Sequence, residues 1–109
     1  MLRRLLPLAL LALAPGLATA DAPTQVTTKI AGHRFTPAEI RVPANTPVVL
    51  TIANADGSPE EFDSPALNVE KVVPGHSSGV VHLHPLKPGR YPYTGEYHSD
   101  TAFGVVIAQ

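Results

Sequence analysis

Beyond residue 20, proline and glycine recur so often that no stretch sustains a helical period. The whole chain carries twelve prolines and eight glycines in 109 residues. What remains between them is a set of short, β-branched, apolar segments, the mark of an all-β domain. Residues 25–31 (QVTTKIA) alternate and predict a first strand. Residues 39–42 (EIRV) predict a second, bounded by Pro37 and Pro43. Residues 47–54 (PVVLTIAN) form the strongest strand pattern and end in a polar turn over 55–59. An extended piece begins at Glu61. Residues 68–74 are ambiguous, and 78–84, 90–94 and 102–108 read as strands. Seven or so short strands at nearly regular spacing predict a Greek-key β-sandwich or barrel. Its expected core is Ile30, Phe35, Ile40, Val42, Val48, Leu50, Ile52, Val81, Leu83, Leu86, Tyr91, Tyr93, Val105 and Ile107. Phe62, Tyr91, Tyr93, Tyr97 and Phe103 read as core or rim packing.

Residues 1–20 read as an export leader. Arg3 and Arg4 precede an apolar run over 5–13, and Ala18-Thr19-Ala20 is an A-x-A cleavage pattern. The run is shorter than the ~20 residues a membrane-spanning helix needs. Cleavage before Asp21 leaves one domain, residues 21–109, in the periplasm, with no membrane insertion expected. Without Arg3 and Arg4, six basic residues face nine acidic ones, a net charge of −3. No Lys/Arg cluster remains to meet phosphates, so nucleic acid is excluded as a partner.

The chain has no cysteine, and its single methionine is Met1. A thiolate or thioether metal site is therefore ruled out in residues 21–109. Any transition metal held there must sit on nitrogen and oxygen. Two groups of residues offer such donors at strand ends. One is Glu60, Glu61 and Asp63 with Glu70 following; the other is Glu96-Tyr97-His98. In an extended segment Glu96 and His98 would point the same way and form a carboxylate–imidazole pair or a chelate. A solvated polar turn accounts equally for the acidic group on its own. His82 and His84 share a strand face whose opposite side holds Val81 and Leu83, so both are expected in solvent. His76 is expected exposed in its turn. His33 ends the first strand and is a secondary candidate, as is Glu70.

At these positions the chain resembles the cupredoxin-like domains of bacterial iron-uptake systems, of the EfeO type. The matching pieces include His33-Arg34-Phe35, Ala53-Asn54-Ala55-Asp56, Glu60-Glu61-Phe62-Asp63, Gly89-Arg90-Tyr91 and Gly95-Glu96-Tyr97-His98. The resemblance implies a cupredoxin-like sandwich that binds a mononuclear copper ion or iron ion. It also implies a partner, either an inner-membrane iron permease or a periplasmic metal-binding protein. Laid on a blue-copper loop, Gly95 takes the cysteine position, His98 keeps the histidine and Ala102 takes the methionine. The remaining histidine position falls on Glu60 or Glu61. The implied metal ligands are thus Glu60, Glu61, Glu96 and His98, with Glu70 and His33 in support. Type 1 electron transfer is excluded because it needs the thiolate. Two other readings stand beside metal handling for iron uptake: a ferroxidase component that turns over only with a partner, and a β-sandwich interaction module without metal. No nucleophile elbow marks a hydrolase.

Overall fold

The computed structural model describes residues 22–109, so the leader expected over 1–20 lies outside the described residues. No helix among the described residues is long and apolar enough to cross a membrane. Among the described residues, nine strands form two facing sheets. They are β1 (Thr24–Ala31), β2 (Arg34–Thr36), β3 (Glu39–Val42), β4 (Val48–Asn54), β5 (Glu60–Ser64), β6 (Val69–Val73), β7 (Ser77–Leu83), β8 (Gly89–Gly95) and β9 (Phe103–Ala108). One sheet runs β2-β1-β4-β7 and the other β3-β9-β8-β5-β6. Both are mixed, with β1 parallel to β4 and β3 parallel to β9. The chain crosses between the sheets repeatedly, as a Greek-key sandwich requires. A single 3₁₀ turn, η1 (Glu96–His98), interrupts the path from β8 to β9.

The strand pattern follows from alternation. In β4 every second residue (Val48, Leu50, Ile52, Asn54) is buried. In β5 the buried set is Glu60, Phe62 and Ser64, so the other two residues face outward. Two strands were not legible beforehand. β2 has only three residues, too few to show a period. β6, the ambiguous stretch, pairs antiparallel with β5 along its whole length.

The expected core is largely the observed one, Ile107 included, but Val105 is not part of it and β9 differs from expectation there. Its inward residues are Gly104, Val106 and Ala108, opposite Tyr93, Tyr91 and Gly89. Val105 is only half-buried and points to the outer face, and Tyr91 is half-buried too. The cause lies at Gly104. A Cβ there would run into the Tyr93 ring and the carbonyl of Ala38. Tyr93 needs that space because its hydroxyl donates to Ala38 O at 2.9 Å, while burial pushes its phenol pKa upward. Tyr93 stacks on Phe62 with centroids 4.7 Å apart, and Phe35 meets it edge-on at 4.9 Å. This aromatic layer underlies one end of the sandwich. By contrast, Tyr97 and Phe103, expected to pack, are 48% and 57% exposed. Tyr97 lies on η1, and Phe103 opens β9 on its outer face.

Gly104→Ala is expected to destabilise the domain by about 1–3 kcal/mol, the cost of overpacking. In a Tyr93→Phe background, which removes the nearest hydroxyl, that penalty should shrink. Urea denaturation of the double-mutant cycle measures the coupling.

Candidate metal centre at one end of the sandwich

The site begins with a tight hairpin. Ala31 and Arg34 pair across β1 and β2, leaving Gly32 and His33 as the two turn residues. Both have positive φ, 58° and 56°, the signature of a type I′ turn that suits the twist of the flanking strands. The turn is fastened from two sides. The amides of Gly32 and His33 donate to the two carboxylate oxygens of Asp56, at 2.8 and 2.9 Å. The hydroxyl of Thr101 donates to His33 O at 2.7 Å.

Asp56 is itself held by Asn54, a buried side chain at the end of β4. Asn54 Oδ1 accepts from the Asp56 amide at 3.0 Å. Its Nδ2 donates to Ser58 O and to Val73 O, at 2.9 and 3.2 Å. One amide side chain therefore shapes the loop that delivers both Asp56 and the start of β5.

Glu60 opens β5 and points inward, only 1% exposed. A buried carboxylate needs donors, and it has three. Oε1 accepts from the amides of Glu61 and Tyr97, at 3.0 and 2.9 Å. Oε2 lies 2.6 Å from Nδ1 of His98. The Tyr97 amide is available because η1 turns the chain back over the end of β5. His98 in turn stacks on His33, with ring centroids 3.5 Å apart and planes 15° from parallel. Nε2 of His33 lies 3.5 Å from the Ser58 hydroxyl.

The close packing around Glu60 depends on a missing side chain. A Cβ on Gly95 would come within 2.7 Å of both Glu60 Cδ and Ala102 Cβ. Gly95 N also donates to Ala102 O at 2.7 Å. Glu60, Gly95, His98 and Ala102 thus meet at one place, the four positions that the blue-copper comparison singled out. Of the two glutamates left open there, the phase of β5 brings Glu60 inward and turns Glu61 out.

The other candidate ligands lie elsewhere. Glu61 and Asp63 share the outer face of β5, and Glu70 sits opposite Asp63 on β6. Carboxylate oxygens of these three approach within 4.8 Å of one another, and no histidine belongs to the group. Glu96 is exposed. Its expected side-by-side pairing with His98 fails because η1 is a 3₁₀ turn, not a strand. With three residues per turn, residues two apart point in different directions. His76, His82 and His84 are exposed. Asp56, Asn54 and Thr101 were not anticipated as parts of the site; Asn54 and Asp56 lay within a matched motif, but nothing in their spacing marked the turn they pin.

The family model of the cupredoxin-like domain matches residues 4–108. The chain belongs to the cupredoxin-like domain family. An uncharacterised protein of Rickettsia prowazekii (strain Madrid E) is 44% identical over 89 residues, which span 82% of this chain and 71% of that protein. Auracyanin A, a blue copper protein of Chloroflexus aurantiacus, superposes with a TM-score of 0.68 at 14% identity, covering 81% of this chain and all of the other. The metal-binding domain of the Streptococcus pneumoniae Cu(I)-exporting P-type ATPase, solved with Cu(I), gives 0.65 at 15% identity over 78% and 84%. At such identities the likeness to these two structures is one of fold.

A thiolate copper centre does not fit this cupredoxin-like domain. It has no cysteine, and residue 95 has no room for any side chain beside Glu60. The nitrogen and oxygen donors that are present do suit an ion at the rim. A buried carboxylate bonded to one imidazole nitrogen is the usual support of a metal-binding histidine.

The turn amides, first His33 and then Gly32, hold the Asp56 carboxyl below its usual range; partial burial opposes this, and charge on the two imidazoles adds to the lowering. A group with a lowered folded pKa stabilises the fold above its unfolded pKa, and that stability is lost as pH falls through the folded value. Asp56→Ala should therefore cost about 1–2 kcal/mol at neutral pH. The penalty should fade once the pH drops below the ordinary value of 3.8. Denaturation curves of both proteins from pH 7 down to pH 2.5 check this.

Proposed function

We propose that this cupredoxin-like domain is an exported, periplasmic metal-binding protein of bacterial iron uptake. It holds copper or iron through nitrogen and oxygen donors at the Glu60/His98 end of the sandwich and passes the ion to an inner-membrane iron permease or a periplasmic metal-binding partner. The observation that carries the metal-binding part is the 2.6 Å contact between buried Glu60 and His98. A carboxylate is costly to bury, and here it serves to fix one imidazole at the sandwich end where the blue-copper positions converge. His33 lies against that imidazole, and Glu96 is an exposed carboxylate two residues before it. Mixed imidazole and carboxylate donors suit Cu(II) and iron alike, with Cu(II) favoured by intrinsic affinity. A bound copper or iron ion would supply a one-electron redox centre. The A-x-A pattern at residues 18–20 supports export. The resemblance to iron-uptake domains supports iron as the cargo and a permease as the partner. The two copper proteins of like fold support copper.

The test is calorimetric titration of the purified protein with Cu(II) and, without oxygen, with Fe(II). His98→Asn keeps an amide donor where Nδ1 was and so preserves the bond to Glu60. One-to-one binding is expected, weakened roughly tenfold or more in His98→Asn, which is about 1.4 kcal/mol. Glu61→Gln and Glu70→Gln should leave it unchanged. Affinity indifferent to His98→Asn would overturn the assignment and favour a docking module without metal.

A further inference from the structure

Glu60 has the wrong surroundings for a ligand. Three of the four lone-pair positions of its carboxylate already accept hydrogen bonds. Two of the donors are backbone amides that would lose their partner if the carboxylate turned toward an ion. Its other flank is closed by Gly95 and Ala102, packed too tightly for even a methyl group.

The hydrogen bond also sorts the two nitrogens of His98. Nδ1 faces an acceptor at 2.6 Å and carries the proton. In the neutral ring the lone pair then resides on Nε2. The His98 side chain is 23% exposed, although Glu60 is sealed. Among the described residues, no buried side-chain nitrogen lacks a hydrogen-bond partner. Nε2 of His98 has none there, so it reaches solvent. His33 covers one face of the ring, and the exposed part of the side chain includes Nε2.

We infer that Glu60 is a positioning residue rather than a ligand, and that His98 receives the ion from the rim through Nε2. This rests on the metal-binding reading and specifies which atoms serve it. It also fixes the part played by His33. Nearly parallel rings direct their lone pairs side by side, not to a common point, so His33 cannot share an ion with His98 while stacked. Beyond the stack, its ring is tethered by the 3.5 Å approach of Ser58, while its backbone is pinned by Asp56 and Thr101. Joining the ion requires only that the His33 side chain rotate off the stack.

The experiment is long-range ¹H–¹⁵N correlation on the ¹⁵N-histidine-labelled full-length chain, with Zn(II) as a diamagnetic probe. Before metal, at a pH where His98 is neutral, it should show a protonated Nδ1 and a bare Nε2. On adding Zn(II), the Nε2 resonance should move while Nδ1 keeps its proton. Glu60→Gln keeps one oxygen for the two backbone amides but sets an NH2 donor against Nδ1, which moves the imidazole proton to Nε2, so Zn(II) binding should weaken about 10- to 100-fold. The inference is overturned if Zn(II) shifts Nδ1, or if a ¹³C-labelled Glu60 carboxyl shows direct coordination; metal binding itself would survive either result. If no His98 nitrogen responds to Zn(II), the metal-binding reading fails with it. The nitrogen assignment in the unsubstituted chain decides the matter even where Glu60→Gln folds poorly.

Discussion

A carboxylate with almost no contact with water sits at the end of this sandwich, and much of the local structure exists to satisfy it. Burying Glu60 without partners would cost several kcal/mol. The cost is offset by two backbone amides and one imidazole. Each requirement constrains a different segment. β5 must enter in the phase that turns residue 60 inward. The chain after β8 must tighten into a 3₁₀ turn so that the Tyr97 amide faces back. Residue 95 must be glycine, because the carboxylate occupies the space that a side chain there would need.

A second set of fixed points surrounds the first. Asn54 shapes the loop after β4, that loop carries Asp56, and Asp56 clamps the two amides of the Gly32-His33 turn. The result brings an imidazole from the first hairpin against an imidazole from the last loop, across 65 residues of sequence. Beneath them the ring layer of Phe35, Phe62 and Tyr93 gives a stiff floor. The histidines can thus differ in mobility: His98 is bonded through its ring, whereas His33 is held mainly through its backbone.

Strands and core were largely readable because burial on one face writes a period of two into the sequence. β4 and β7 show it plainly. β9 misled at Val105, which is as apolar as Val106; the Tyr93 ring over Gly104 turns Gly104 and Val106 inward and leaves Val105 half-buried. The same one-residue ambiguity separated Glu60 from Glu61, and the pairing of Phe62 with Gly95 resolves it. The Glu96–His98 pair failed for a different reason. A three-residue 3₁₀ turn leaves no periodic trace, and its conformation is set by what the Tyr97 amide can reach.

The sequence by itself determined that the domain is all-β, that no sulfur ligand is available beyond residue 20, and that any metal chemistry falls to imidazole and carboxylate. These are matters of composition and alternation, which each residue declares locally. Only the tertiary structure decided which carboxylate meets which imidazole. It set Glu60 beside His98 and His33 upon it, and left Glu61, Asp63 and Glu70 together on the outer face. Such meetings depend on strand register and on turns that bring distant segments together, and neither is encoded in the spacing of residues along the chain.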